Sequence, residues 1–319
     1  MMATVSVPGK IHLSGEHAIV YGKPAILTAV NLRLTATVAV VAGGQAGQFD
    51  IDAPEDKSYI RHAFGLVCRK YRIDPVPAVT ISINSDLSAG YHLGSSAAVA
   101  AAVIGASIFA LKKIWNPGAI NNLAYEAEKI KHGNPSGGDN TTVVFGGFIW
   151  YRKELEFLRT LWQLPIRPSQ QLKNNFILVD TGRPVESTGE MVAYVNSKFK
   201  SQKSKYRRLF DNNEQVTKHM AAALKENDSR GILEAMRGCE RTLEKMGVVS
   251  SFAEKIIKQI EKIGGAAKIL GGGGHKKGVG YLLSYHPQKN NLVTHLAHHR
   301  LLFREILIGE EGVRLEKRS

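Results

Sequence analysis

Residues 97–111, AAVAAAVIGASIFAL, form an unbroken apolar run. A helix that spans a bilayer needs about 20 such residues. The run therefore predicts a helix buried inside a folded domain. Directly before it stands SAGYHLGSS, residues 88–96, a small-residue loop ending in two serines. A loop of this kind running into a helix suits an anion. Backbone N–H groups of the loop and first turn point at the ligand, and the helix dipole adds partial positive charge. Ser95 and Ser96 can add hydroxyls toward phosphate or Mg²⁺. The plainer alternative is a helix N-cap, for which serine before an apolar run is common.

Two further glycine-bearing segments lie far away in sequence: PGKIHLSGEHAIVYG (8–22) and AKILGGGGHKKG (267–278). Neither contains G-x-x-x-x-G-K-[ST] or a properly spaced G-x-G-x-x-G, so a nucleotide site must be built another way. A fourth segment, KIKHGNPSGGDN (129–140), places Asp139 beside glycines, where a carboxylate can approach a ligand closely. Alone it reads more readily as a plain Asx turn, and Glu128 alone reads as a solvated helix residue.

The rest of the chain follows ordinary periodicities. NLRLTATVAVV (31–41) and VTISIN (79–84) alternate as half-buried strands, and FILVD (176–180), AAKIL (266–270), GVGYLLSY (278–285) and LLFREILI (301–308) also read as strands. Residues 56–72, 119–131 and 188–262 read as helical, the last with breaks near Asn227-Asp228 and Gly247. VVFGGFIWY (143–151) reads as a strand pair around a glycine turn, and the opening residues as a short apolar stretch before Pro8-Gly9. The pattern weakens over 152–172, where Pro165 and Pro168 appear. With 319 residues and roughly 100–200 per domain, two domains are expected, 1–166 and 167–319. Strands and helices come in groups, which predicts an α+β fold.

The net charge of +14 suits either a nucleic-acid binder or a surface around a site for anionic substrates. The basic residues are scattered, and no RNP aromatic motif, zinc-finger spacing or basic zipper accompanies them, which weighs against nucleic acid. The two cysteines cannot form a disulfide framework and suggest a reducing compartment. MMATVSVPGK lacks the pattern of a signal peptide. A soluble cytoplasmic protein is expected, with a homodimer as one compatible assembly.

Taken together, the segments are more specific than any one of them. The chain resembles the GHMP kinases, and among them most the mevalonate kinases. PGKIHLSGEHAIVYG resembles the first family motif, LGSSAA the core of the second and AKILGGGG the third. EKIKHGNPSGGDN and FILVDTGRPVESTGEMV (176–192) resemble the mevalonate-kinase forms of the intervening blocks.

The resemblance implies two α+β domains, the second ferredoxin-like, with ATP between them. It implies transfer of the γ-phosphoryl of ATP to the primary hydroxyl of mevalonate, with Mg²⁺. Asp139 would be the catalytic base and Lys10 its cationic neighbour. Gly90, Leu93, Gly94, Ser95 and Ser96 would bind the nucleotide. Ser96 and Glu128 would hold the metal. Glu16, His17 and Thr188 would contact substrate. The chain departs from the family pattern at Ser88, where proline is usual, and at His92, where glycine is usual. It departs again at Leu270, in place of a small hydroxyl residue, and at His275-Lys276, in place of glycines. The alternatives are another small-molecule kinase of the same superfamily and, in a different class, a non-catalytic nucleic-acid-binding protein.

Overall fold

The opening stretch does not stop at Pro8-Gly9. It continues as β1 (Met2–Ser14), which pairs antiparallel with β2 (Ala25–Val40) along most of its length. Proline cannot donate to a ladder and is tolerated in a sheet at edges or bulges. Here the register shifts between Pro8 and Gly9, so a bulge absorbs it. Val5 through Ile11 are all buried. Both faces of this stretch are covered, which is why it shows no alternation. The computed structural model describes residues 1–319 except 134, 156, 157 and 319. Asn134 of the HGNPS string therefore lies outside the described residues.

After β2 come β3 (Phe49–Asp52), α1 (Lys57–Tyr71) and β4 (Val79–Ser85). β3 and β4 pair in parallel, with α1 as the crossover. Next are α2 (Ser95–Lys112), α3 (Pro117–His132) and α4 (Gly138–Phe145), then β5 (Phe148–Lys153) and β6 (Arg159–Leu164). By length and composition α2 could cross a membrane, but Ala97 through Ala110 are all buried within the fold. It is the central helix of the larger core.

The second half begins with α5 (Gln170–Lys173), β7 (Phe176–Asp180) and four helices: α6 (Thr188–Ser201), α7 (Lys203–Glu226), α8 (Ser229–Met246) and α9 (Ser251–Lys262). β8 (Ala266–Ile269), β9 (Tyr281–Tyr285), α10 (Lys289–His298), β10 (Phe303–Ile306) and β11 (Arg314–Arg318) complete it. The second sheet has the order β10-β7-β9-β8 and is antiparallel throughout. Helices follow its first and third strands, which is the ferredoxin-like β-α-β-β-α-β arrangement. The fold is thus α+β with two sheet regions.

β11 belongs to the first sheet, where the order is β11-β1-β2-β4-β3 and β5 joins β2 to β6. A cut between residues 166 and 167 separates the strands of the two sheets except for this one.

Two local expectations are corrected. Residues 143–145 are the end of helix α4, and only 148–153 form a strand. Burial of Val143 and Val144 outweighs their β propensity, and Thr142 Oγ1 donates back to the Gly138 carbonyl at 2.8 Å. The weakly patterned 152–172 stretch contains β6 and α5. β6 pairs only with β5, and no residue along it is fully buried, so burial imposes no alternation on it.

Candidate active site

The bulge at Pro8-Gly9 brings β1 against the loop that precedes α2. Lys10 N donates to the Leu93 carbonyl at 2.9 Å, which fixes where the lysine side chain starts. That side chain runs under Gly94: a Cβ at Gly94 would lie 2.7 Å from Lys10 Cγ. Gly94 also has φ 72°, a left-handed conformation that glycine adopts at no steric cost. Its two demands, space and backbone, exclude any other residue.

Gly94 is the N-cap of α2, with no side-chain cap hydrogen bond among the described residues. Ser95 and Ser96 are therefore the first helical residues and not caps. The N–H groups of the first turn have no intrahelical acceptor and point out of the helix, which leaves them for an anion.

Asp139 lies in the first turn of α4, after Gly137. Its Oδ1 is 3.1 Å from Lys10 Nζ. The lysine side chain is 5% exposed and the aspartate 37%, so the carboxylate faces the open side of the pair. A carboxylate at a helix N-terminus faces the partial positive charge of the helix dipole.

Glu128, near the C-terminal end of α3, is buried on the opposite wall. Tyr59 of α1 donates to its Oε1 at 2.6 Å, and Ser96 Oγ donates to its Oε2 at 3.1 Å. Burial and the adjacent Glu128 push the Tyr59 phenol well above its usual range, so it remains a donor. His132 Nε2 is 3.3 Å from Ser96 Oγ.

These groups line one cavity of about 850 Å³, within the range of small-molecule sites. Gly90, Leu93, Gly94, Ser95, Ser96, Lys10, Asp139, Glu128 and Thr188 all reach it. The second sheet contributes the loop from β7 to α6 and Gly271.

Glu16 and His17 do not reach the cavity. Glu16 is turned inward into a fully buried ion pair with Lys268 of β8. His17 Nε2 is 3.0 Å from the Gly272 carbonyl. Glu16 thus joins the segment after β1 to β8, and His17 joins it to the segment after β8.

His92 is left-handed at φ 62°, as expected of a residue in a glycine's place. Its ring packs on Gly271, where an added Cβ would lie 2.3 Å from His92 Cγ. Its Nδ1 is 3.4 Å from Thr188 Oγ1. Burial and the nearby Lys10 push its pKa down to about 4, so the ring is neutral near pH 7. Sequence reasoning assigned no role to Tyr59, Lys268 or Arg183: the last two lie inside segments that resemble family motifs, but all three meet their partners only through the fold.

Ser96 Oγ and Glu128 Oε2 form a pair of hard oxygen donors facing the cavity. Among the described residues no three or more His, Cys, Asp or Glu side chains converge into a metal cage. Mg²⁺ characteristically uses one or two carboxylates and completes its shell with water and phosphate oxygens. The residues present fit that ion.

Residues 58–147 match the family described as GHMP kinases N terminal domain. Mevalonate kinase from Pyrococcus abyssi is 36% identical over 189 residues, 52% of this chain and 56% of that protein. The chain thus spans about half the length of that relative. Mevalonate kinase from Archaeoglobus fulgidus is 29% identical over 275 residues, covering 84% of this chain and 88% of its own. The crystal structure of the Methanococcus jannaschii mevalonate kinase superposes with a TM-score of 0.82 at 20% identity, covering 97% of this chain and 99% of that one. The match over 58–147 takes in α1, the phosphate-type loop, α2, Glu128 and Asp139, and the fold likeness extends over both sheets. The matched segment, 58–147, is thus a GHMP kinase N-terminal domain.

Proposed function

We propose that the protein is an ATP- and Mg²⁺-dependent kinase that phosphorylates the primary hydroxyl of mevalonate, giving 5-phosphomevalonate and ADP. The observation that carries this reading is the Lys10–Asp139 pair at 3.1 Å on the wall of a cavity that also contains the uncapped start of α2. One site thus offers a base, a cation beside it and an anion cradle. The names of the relatives supply the acceptor.

In this reading the triphosphate lies at Gly94–Ser96, with Gly90 and Leu93 shaping the loop. The acceptor hydroxyl passes its proton to an Asp139 carboxylate oxygen as the hydroxyl oxygen bonds the γ-phosphorus. The bond from that phosphorus to the β,γ-bridging oxygen breaks, and ADP leaves with the electron pair. Lys10 holds the Asp139 carboxylate in place at 3.1 Å and offsets charge on the transferring group. Phosphoryl transfer asks a protein mainly for positioning and electrostatics, and both are present. Ser96 and Glu128 would hold Mg²⁺, which when bound neutralises charge on the phosphates. Thr188 contacts the acceptor, whereas Glu16 and His17 act from behind the wall by fixing the segment that contains Gly271.

We place the reaction in the cytoplasm, in keeping with Cys68 and Cys239 as free, buried thiols. We further propose two units, 1–166 and 167–319, with β11 crossing back to the first. A kinase for a different hydroxy acid or sugar is the second reading. His92 favours it, because its ring occupies space between the loop and Gly271 that glycine would leave open. Measuring ADP release with ATP and Mg²⁺ across a panel of hydroxy acids and sugars tests the proposal. A kcat/KM for mevalonate at least about tenfold above every other acceptor is expected. Preference for a sugar would overturn the substrate.

A further inference from the structure

The cavity wall carries two cations that the reaction described above does not use, Lys131 and Arg183. Arg183 lies in the loop from β7 to α6 and lines the cavity beside Thr188. The base of that loop is pinned to the strand beside it. Thr181 Oγ1 donates to the Gly280 carbonyl at 2.7 Å and accepts from Val279 N at 2.9 Å. Gly280 N donates to the Gly182 carbonyl at 2.9 Å.

From this base the guanidinium reaches across to the first sheet and lies on Gly90. A Cβ at Gly90 would be 3.2 Å from Arg183 Nε and 3.4 Å from Nη2. Asp180 accepts from Gly182 N at 2.7 Å, whereas Glu186, on the same wall, has a buried Oε2 without a hydrogen-bond partner among the described residues, and neither carboxylate forms an ion pair with Arg183. Among the described residues Arg183 has no ion-pair partner. Of the other cations on the wall, Lys10 is paired with Asp139, and Lys131 lies 5.0 Å from the centre of the Tyr59 ring.

We infer that Arg183 is the anchor for a carboxylate on the phosphoryl acceptor, so that the site selects hydroxy acids over neutral alcohols and sugars. The inference rests on the kinase reading given above, and it deepens that reading by naming what the far end of the acceptor must be. The phosphates belong at Gly94–Ser96, where the first turn of α2 is uncapped. Arg183 sits at the other end of the same loop, over Gly90, on the wall shared with Thr188. In the kinase reading, an acceptor with its hydroxyl at Asp139 and its body against Thr188 would extend toward that wall, because Asp139, Thr188 and Arg183 all line the one cavity. A planar guanidinium presents two parallel N–H donors that match a carboxylate. Its position on a pinned loop means little ordering is needed on binding.

The test is steady-state kinetics of the wild type, Arg183→Gln and Arg183→Lys, with thermal melts to show that each variant folds. Acceptors are mevalonate, its neutral methyl ester, other hydroxy acids and neutral sugars. For Arg183→Gln, KM for mevalonate should rise about 10- to 100-fold, as for loss of hydrogen bonds to a charged group. kcat and KM for ATP should stay within a few-fold, and the ester should be unaffected by the substitution. Arg183→Lys should fall between. An unchanged KM for mevalonate, in a protein that turns mevalonate over, would overturn the inference and leave the kinase reading standing. A rise confined to KM for ATP would make Arg183 a phosphate ligand and also overturn it. A wild type that uses a different hydroxy acid, with the same dependence on Arg183, would retain the inference and remove mevalonate. A wild type that prefers neutral acceptors, or phosphorylates none, would defeat both.

Discussion

At the scale of single residues, Asp139 concentrates the most consequence. Asn is nearly the same size and accepts hydrogen bonds, but it cannot take the proton, and it leaves the 5%-exposed Lys10 without its anion. General-base catalysis typically contributes about 10²–10⁴-fold. Asp139→Asn should lower kcat at least about 10²-fold while KM for ATP changes little, because the phosphate cradle is separate. Kinetics and ATP titration on one preparation check this, and a variant within a few-fold of wild type would remove Asp139 as the base. His92 offers a pH prediction. Its folded pKa, about 4, lies below the ordinary 6.5, so as pH falls from 6.5 toward 4 the unfolded chain binds a proton that the folded protein refuses. Stability is therefore lost on acidification over that window. The groups acting on the ring are Lys10, His17 and Asp139, the last opposing the others. Asn tolerates the left-handed backbone and does not titrate, so His92→Asn should gain on wild type by on the order of 1–3 kcal/mol between pH 7 and pH 4. Urea unfolding of both proteins at several pH values measures the difference, and parallel curves would exclude His92 as a source of acid sensitivity.

At the scale of elements, β1 and β8 are joined by Lys268 and Glu16. Both side chains are essentially unexposed, and Lys268 Nζ also donates to the Ile269 carbonyl at 2.8 Å. Removing one partner of such a pair leaves a buried charge uncompensated and costs about 3–5 kcal/mol, whereas an apolar replacement of both is often neutral or better. Lys268→Met should destabilise by about that amount, and Lys268→Met with Glu16→Leu should recover most of it in urea titrations. Failure of the double variant to recover would mean that the pair shapes the backbone as well as balancing charge. This element pair also shows where sequence reading runs out. The helix over 97–111 and the alternating strands were legible because one periodic face dictates burial. Lys10, Glu128 and Asp139 were legible because a family resemblance gave them roles. Lys268 carried no such mark: its partner is 252 residues away, and only tertiary structure makes a lysine in AAKIL anything other than a strand residue. Glu16 is opaque to sequence reading for the same reason, since nothing local reveals that its carboxylate turns inward to Lys268.

At the scale of the whole molecule, the first sheet is finished by the last strand. β11 pairs with β1 over Ala3–Ser6, and Ser6 Oγ donates to Glu316 Oε1 at 2.6 Å. Arg33 of β2 reaches the same corner, donating to the Glu311 and Gly312 carbonyls at 3.0 and 2.7 Å. The charged sequence RLEKR gave no hint of a strand, because an edge strand needs no apolar alternation. A chain ending at residue 312 should lose solubility or several degrees of melting temperature, with activity falling in step. Full activity at an unchanged melting temperature would show that β11 is dispensable. There is a consequence for synthesis. Domains ordinarily fold as they leave the ribosome, N-terminal first. Here the strand that holds Lys10 gains its outer neighbour only when residues 310 positions after Ser6 have been made. A nascent chain therefore carries an unpaired β1 edge for at least as long as the roughly 300 residues between β1 and β11 take to be made. Anything that stalls elongation late, after β10 but before β11, leaves that edge open to other chains.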